Sequence, residues 1–154
     1  MATQNVNIYL YYIARDNGVK LEYFADAAKT QIFFAAPIAA GDSVNYTILP
    51  ASGSDAFDFL AVTFWARNAD LSIASNAART FQQFKGGVAN FSGKPYVTNV
   101  DAHSKSSLLF TVTNLNDAGQ SGSISFQTTV EDKNRKALYT SIDPQIGLDK
   151  PQGG

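Results

Sequence analysis

Apolar and polar residues alternate along most of this chain, with turn-forming residues between the alternating stretches. In NVNIYLYYIA (5–14), one set of alternate positions is apolar or aromatic: Val6, Ile8, Leu10 and Tyr12. A period of two is typical of a β-strand with one buried face, whereas a helix repeats its apolar positions every three or four residues. Asn17-Gly18 follows, and this pair favours a tight hairpin turn because both residues tolerate positive φ. The sequence therefore predicts an opening β-hairpin.

The same alternation predicts strands further along the chain. They are expected at 43–49, 57–66, 107–114, 122–132 and 137–143. The segment 57–66, FDFLAVTFWA, is apolar throughout, which is typical of a strand covered on both faces. The residues expected to be buried include Phe59, Ala61, Leu109, Val112, Ile124 and Phe126.

Two stretches depart from the alternation. SNAARTFQQF (75–84) has partial helical spacing after a possible N-cap at Ser75 or Asn76, and it is the one helix candidate. Residues 85–106 are rich in loop-forming residues and predict at most one short strand, at 96–100. Strands and helices do not alternate as in a parallel sheet. The prediction is an all-β fold, an antiparallel β-sandwich of jelly-roll or immunoglobulin-like type, with eight to ten strands and at most one short helix.

Length and composition predict one domain over residues 1–148 and a flexible tail over 149–154. The chain has 154 residues, of which 45% are hydrophobic and only 16% charged, enough to bury a core. Twelve basic and thirteen acidic residues show no run of one sign, which argues against a nucleic-acid partner. The N-terminal stretch lacks the basic residues of a secretory signal, and no apolar run is long enough for a membrane span. We therefore expect a cytoplasmic location.

The sequence lacks the patterns that enzymes and metal sites require. The absence of cysteine excludes disulfides, thiolate metal ligands and cysteine nucleophiles. The single histidine, His103, lies near Asp101 in a serine-rich stretch, but no Gly-x-Ser-x-Gly nucleophile motif accompanies it. Because the acidic residues are scattered singly, a metal site is not predicted either. We interpret His103 as an exposed loop residue and expect neither enzymatic activity nor a cofactor.

One candidate ligand site follows the most apolar strand. Trp65, the only tryptophan, is followed closely by Arg67, Asn68 and Asp70. A sugar ring can stack on an aromatic side chain while guanidinium, amide and carboxylate groups bind its hydroxyl groups. This grouping is compatible with a carbohydrate partner. The alternative interpretation is that Trp65 belongs to the core and that the polar residues form a turn.

A second candidate surface lies on the first strand. Tyr9 and Tyr11 occupy the positions opposite the apparent core residues of that strand. Tyrosine is enriched at protein interfaces, so the two rings are compatible with an interface between copies of the chain. The alternative is that the 75–106 segment of the same subunit covers them. The small number of charged residues also offers little electrostatic protection from self-association.

The last part of the chain resembles a known family. In VEDKNRKALYTSIDPQIGL (130–148), an acidic strand end and a polar turn precede Tyr139, and Asp143-Pro144-Gln145-Ile146 follows. This ending resembles that of the PixA/AidA-type bacterial inclusion-body proteins, although Ile142 stands where an aromatic residue is expected. The opening strand VNIYLYYI (6–13) would correspond to the opening strand of that family. The resemblance implies a β-sandwich, cytoplasmic accumulation and no established enzymatic activity.

The Asp143-Pro144 pair has a physical interpretation of its own. Proline is tolerated in sheets only at edges, strand starts and bulges, and it favours extended geometry in the residue before it. We therefore expect the pair to bend an edge strand and to block its pairing with a neighbouring molecule. Taken with the composition, the sequence predicts a non-enzymatic, inclusion-body-like protein that forms a dimer or larger homo-oligomer. The alternative is a small, lectin-like carbohydrate-binding module.

Overall fold

The structure is a computed structural model of the whole chain. It describes residues 2–15, 18–52, 57–68, 80–83, 88–93, 96–104, 106–115, 122–132, 136–141 and 145–149. Within these residues the fold is all-β, with eleven strands and no helix, so the all-β prediction is confirmed there, whereas the predicted count of eight to ten strands is not. The strands are β1 (Thr3–Arg15), β2 (Gly18–Phe24), β3 (Ser43–Pro50), β4 (Phe57–Asn68), β5 (Thr80–Gln83), β6 (Val88–Gly93), β7 (Tyr96–Ser104), β8 (Ser107–Asn114), β9 (Gly122–Asp132), β10 (Ala137–Thr140) and β11 (Gln145–Leu148).

Six strands form one sheet in the order β2-β1-β3-β8-β7-β6. β1 and β2 form the expected antiparallel hairpin, in which Arg15 pairs with Gly18. β1 also pairs with β3, and these two strands are parallel, with Thr3 opposite Ser43. The sheet is therefore mixed, and the expectation of a wholly antiparallel arrangement is wrong. The alternation identified both strands, but pairing direction depends on how the chain returns to the sheet.

The other five strands form a second sheet in the order β10-β9-β4-β5, with β11 also paired to β9. β10 and β11 follow one another along β9, so that Thr140 lies opposite Thr129 and Gln145 lies opposite Ser125. The strand before Asp143-Pro144 is at the end of the strand order, as predicted. The two residues of the pair lie outside the described part of the chain, and their proposed bend and blocking role stay predictions.

Residues from both sheets bury a common hydrophobic core. Phe110 of β8, in the six-stranded sheet, contacts Phe64 of β4 and Phe126 of β9, with ring centroids 5.3 and 5.1 Å apart. Tyr23 of β2 meets Phe126 edge to face at 5.5 Å. Each fully buried phenylalanine contributes about 1.5–3 kcal/mol by leaving water. These aromatic contacts hold the two sheets together.

Most of the predicted core is confirmed, with one exception. Phe59, Ala61, Val112, Ile124 and Phe126 are buried. Leu109 is only half-buried, because in β8 the buried positions are Leu108, Phe110 and Val112. Leu109 is three residues from Val112, so the two side chains project to opposite faces of a strand. The prediction for Leu109 was wrong.

The middle of the chain is more extended than the sequence predicted. Thr80–Gln83, inside the helix candidate 75–84, is strand β5 and pairs with Ala61–Phe64 of β4. The helix prediction is wrong for these four residues, and its other residues lie outside the described part. The expected loop 85–106 contains β6 and β7, which pair with each other and extend the six-stranded sheet from β8. Tertiary pairing has overridden weak local preferences in both places.

Candidate functional site

The structure gives the backbone positions of most of the predicted ligand site. Trp65 and Arg67 lie near the end of β4, where they pair with Ser125 and Ser123 of β9. Both serines are buried, and the Ser123 hydroxyl has no hydrogen-bond partner among the described residues. Asn68 ends β4. Asp70 and the side chains of Trp65, Arg67 and Asn68 lie outside the described part, so the site remains a prediction.

His103 lies in a strand, which corrects the loop prediction. It belongs to β7, at an irregularity where the register with β8 shifts between Asp101 and Ser104. Its side chain is outside the described part of the structure. Among the described residues, no group of three histidine, cysteine or acidic side chains is placed to hold a metal ion.

Tyr9 and Tyr11 lie on the outer face of β1, as the alternation predicted. Ile8 and Leu10, which alternate with them along β1, are buried, and both tyrosines are half-buried. The Lys29 ammonium lies 3.7 Å from the centroid of the Tyr11 ring, which is the geometry of a cation–π contact. Tyr11 therefore has a contact within its own chain, whereas the interface role of either tyrosine stays a prediction.

A row of hydrogen-bonded polar side chains crosses the same outer face. The Thr111 hydroxyl donates to Asn45 Oδ1 at 2.6 Å. The Asn45 amide nitrogen donates in turn to Asn5 Oδ1 at 3.0 Å. These residues come from β8, β3 and β1, and we call them the amide row. Sequence reasoning missed the row because it depends on the parallel register of β1 and β3.

An apolar cleft lies beside the start of β1 and β3. Residues 33–39, between β2 and β3, line the cleft together with Val44 and Tyr46 of β3. The cleft has a volume of about 260 Å³. Its lining is mostly alanine, proline and aromatic side chains, with Asp42, Ser43 and Gln4 as polar members. Residues 30–38, TQIFFAAPI, are a short apolar run in the sequence, but a run of this kind does not by itself reveal a cleft.

The backbone of this segment is held at two points. The Phe33 amide donates to the Tyr23 carbonyl at 2.9 Å, and the Ile38 amide donates to the Gly147 carbonyl at 2.9 Å. Phe33 and Ile38 are buried, whereas Phe34 between them is 85% exposed. The anchored ends therefore present Phe34 to solvent at the rim of the cleft.

Asn114 fixes the base of the cleft segment. Its buried amide nitrogen donates to the carbonyl oxygens of Ile38, at 2.7 Å, and of Asp149, at 2.9 Å. The Asn114 backbone amide donates to the Asp42 carbonyl at 2.9 Å. One polar side chain at the end of β8 thus joins the cleft segment to the residues after β11. Buried amides are retained in cores when their hydrogen bonds are made, as here.

A cluster of three hydroxyl groups lies between the two sheets. The Tyr23 hydroxyl donates to Thr128 Oγ1 at 2.7 Å and lies 2.6 Å from Ser141 Oγ. Ser141 Oγ also accepts a hydrogen bond from the Thr128 backbone amide at 2.8 Å. All three residues are buried. We call them the hydroxyl cluster, and its bonds connect β2 of one sheet with β9 of the other.

The shifted pKa values have local structural causes. Burial raises the pKa of Tyr46 to about 12. The pKa of Asp26 is lowered, chiefly by a hydrogen bond from the Thr30 hydroxyl, and the backbone amides of Thr30 and Gln31 add to the effect. Asp26 is half-buried in the bend after β2, and Tyr46 is packed against Phe110 with ring centroids 5.3 Å apart. Neither shift arises from a paired acid and base.

Comparisons with known proteins give no family assignment. No family model matches this chain, and a search of curated proteins finds no match either. The resemblance of residues 130–148 to the PixA/AidA-type proteins therefore stays an expectation. In the part of the chain that the structure describes, no helix is long and apolar enough to cross a membrane.

Proposed function

We propose that this protein is a non-enzymatic β-sandwich that self-associates and accumulates in the cytoplasm, as its resemblance to the inclusion-body proteins implies. The observation that carries the proposal is the exposed Phe34 ring at the rim of an apolar cleft. The aromatic contacts between the two sheets support the sandwich arrangement, because sandwiches pack the inner faces of two sheets against each other.

Phe34 and the cleft provide the two halves of a self-complementary contact. In a twofold dimer, the Phe34 ring of each copy would enter the cleft of the other, so the same contact would form twice. Burying an exposed phenylalanine contributes about 1.5–3 kcal/mol, and the symmetry doubles this term. Ile32, on the same segment and 60% exposed, would add to the buried apolar area.

Electrostatics offers little opposition to such a contact. The chain has a formal charge of −1, and among the described residues that line the cleft only Asp42 is charged. A protein with net charge near zero and few charged residues has weak repulsion between its copies. Tyr9 and Tyr11 remain a second candidate interface, on the opposite face of β1 from the core.

Light scattering after size-exclusion chromatography tests the proposal. We expect the wild type to form at least a dimer at high micromolar concentration and Phe34→Ser to weaken the association by about tenfold or more per ring. Leu138→Ser is the matched control, because Leu138 is 62% exposed but lies on β10 of the other sheet. It should associate like the wild type.

Two results would contradict parts of this proposal. A monomeric wild type would refute self-association itself. If Phe34→Ser associates normally whereas a Tyr9→Ser/Tyr11→Ser double variant is monomeric, the interface lies on the outer face of β1 and the cleft has another role.

A further inference from the structure

At the positions whose side chains the structure describes, the outer face of β1, β3 and β8 has no charged residue of its own, and the Lys29 ammonium reaches it at the Tyr11 ring. The buried residues of β1, β3 and β8 define this face as the opposite set of alternate positions. Its members with described side chains are Thr3, Asn5, Asn7, Tyr9, Tyr11, Ser43, Asn45, Thr47, Leu49, Ser107, Leu109, Thr111 and Thr113. A protein surface usually has a quarter or more of charged residues, so thirteen uncharged positions on neighbouring strands form a distinct surface.

The amide row orients the hydrogen-bonding groups at one level of this face. Asn45 uses its oxygen for Thr111 and one N–H for Asn5, which fixes the orientation of both amides. The second Asn45 N–H and both N–H groups of Asn5 are not used in the row. Neighbouring strands lie about 4.8 Å apart, so the row presents polar groups at regular intervals. On the next strand, β7, the residue paired with Thr111 in the backbone register is Asn99.

A second level of the face contains Asn7 and Thr47, which are paired across β1 and β3. Two residues further along β1, on the same face, is Tyr9, which is half-buried and pairs with Leu49. Amides, hydroxyls and an aromatic ring are therefore adjacent on one surface. Asn7 is exposed, so this part of the face is open to a ligand.

We propose that this face binds a neutral polyhydroxylated ligand of the oligosaccharide class. Asn5, Asn45 and Thr111 would bind its hydroxyl groups, and Tyr9 would contact the apolar side of a sugar ring. A hydroxyl group both donates and accepts hydrogen bonds, so it can bond both the N–H donors and the oxygen acceptors of the row. This site differs from the Trp65 region and from the Phe34 cleft.

The charge of the face decides between possible occupants. An anionic ligand such as a nucleic acid would require several basic side chains. The thirteen described positions contain none, and the Lys29 ammonium that reaches the face lies over the Tyr11 ring. If a second copy of the chain packed against this face, several amides and hydroxyls would lose their hydrogen bonds to water. The opposing copy would have to replace those bonds, because each buried polar group left unpaired costs free energy. A neutral ligand with many hydroxyl groups meets both conditions.

Affinity electrophoresis in gels that contain soluble dextran, mixed-linkage β-glucan, galactomannan or xylan tests this proposal. We expect at least one polysaccharide to retard the wild type, and Asn5→Ala/Asn45→Ala to weaken that binding by about tenfold or more. Asn7→Lys keeps the amide row, adds a charged side chain to the face and should also weaken binding. The matched control is Thr129→Ala/Thr140→Ala, which removes a hydroxyl pair from β9 and β10 of the other sheet.

Circular dichroism and an unchanged unfolding midpoint would show that the variants are folded. If the control binds like the wild type and both face variants bind weakly, the proposal is supported. Absence of retardation by all four polysaccharides would overturn it, as would equal retardation of the wild type and both face variants. If the face variants instead change only the oligomeric state in light scattering, the face is an interface between copies and the assignment is wrong.

Discussion

Replacing Tyr23 by phenylalanine removes one oxygen atom from the buried hydroxyl cluster between the sheets. The ring of Tyr23 stays, and with it the edge-to-face contact with Phe126. The change removes the hydrogen bond to Thr128 Oγ1 and the 2.6 Å contact with Ser141 Oγ. Because the site is buried, water is not available to replace the lost hydroxyl group. Tyr23→Phe therefore isolates the contribution of the hydrogen bonds from that of apolar burial.

The expected loss follows from two buried hydrogen bonds. A neutral hydrogen bond contributes about 0.5–1.5 kcal/mol net, so two contribute about 1–3 kcal/mol. Ser141 Oγ keeps its hydrogen bond from the Thr128 backbone amide, which limits the cost of the group left behind. We expect the free energy of unfolding to fall by about 2 kcal/mol. For a chain of this length, that corresponds to a decrease in Tm of about 4–8 °C.

Urea unfolding followed by circular dichroism measures the change, provided that the m-value stays constant. Tyr9→Phe, on the half-buried outer face of β1, is the control and should change stability by less than about 0.5 kcal/mol. A double-mutant cycle with Ser141→Ala should show a coupling of about 1 kcal/mol between the two hydroxyl groups. The reasoning is refuted if Tyr23→Phe is as stable as the wild type or if the two substitutions are additive.

Three further predictions concern single side chains. Asn114→Ala removes the side-chain donor to the Ile38 and Asp149 carbonyl oxygens. It should lower the free energy of unfolding, measured by urea titration, by about 1–3 kcal/mol. An unchanged urea midpoint would contradict the role of Asn114 in holding these two segments. Because the pKa of Tyr46 is raised from 10.0 to about 12, its contribution to stability is complete below pH 10 and is lost as pH rises toward 12. The free energy of unfolding should fall by at most about 1.4 kcal/mol per pH unit in this range, and Tyr46→Phe should remove the fall. Parallel plots of unfolding free energy against pH for the two proteins above pH 10 would refute the attribution to Tyr46. His103→Ala should change the unfolding free energy by less than about 0.5 kcal/mol, and a loss of several kcal/mol would show that the residue is structurally required.

Alternation along the chain was a reliable guide to which residues form strands and face the core. In the predicted strand 43–49, the apolar or aromatic alternate positions are Val44, Tyr46 and Ile48, and all three are buried. It was not sufficient where a short segment depends on a distant partner. Thr80–Gln83 has weak helical spacing but pairs with β4, and a local pattern does not contain that information.

The candidate surfaces were less predictable than the strands. The sequence placed Tyr9 and Tyr11 on the correct face of β1 because the apolar residues Ile8 and Leu10 alternate with them along the strand. The bond between Asn5 and Asn45 depends on a parallel register between β1 and β3, and Asn114 acts on two segments distant in sequence. Such contacts are set by the arrangement of strands, so residue spacing within one segment does not reveal them.

The pairing of β1 with β3 and of β4 with β9 has a consequence for the kinetics of folding. Both pairs join segments that are far apart in the chain, with Phe57 opposite Asp132 in the second case. Topologies dominated by such non-local pairs have high contact order and fold on the order of milliseconds to seconds, because a large loop must close before the contact is gained. During that interval the apolar segment 57–66 would lack its partner strand. Refolding at high protein concentration should therefore compete with aggregation, independently of any association of the folded protein.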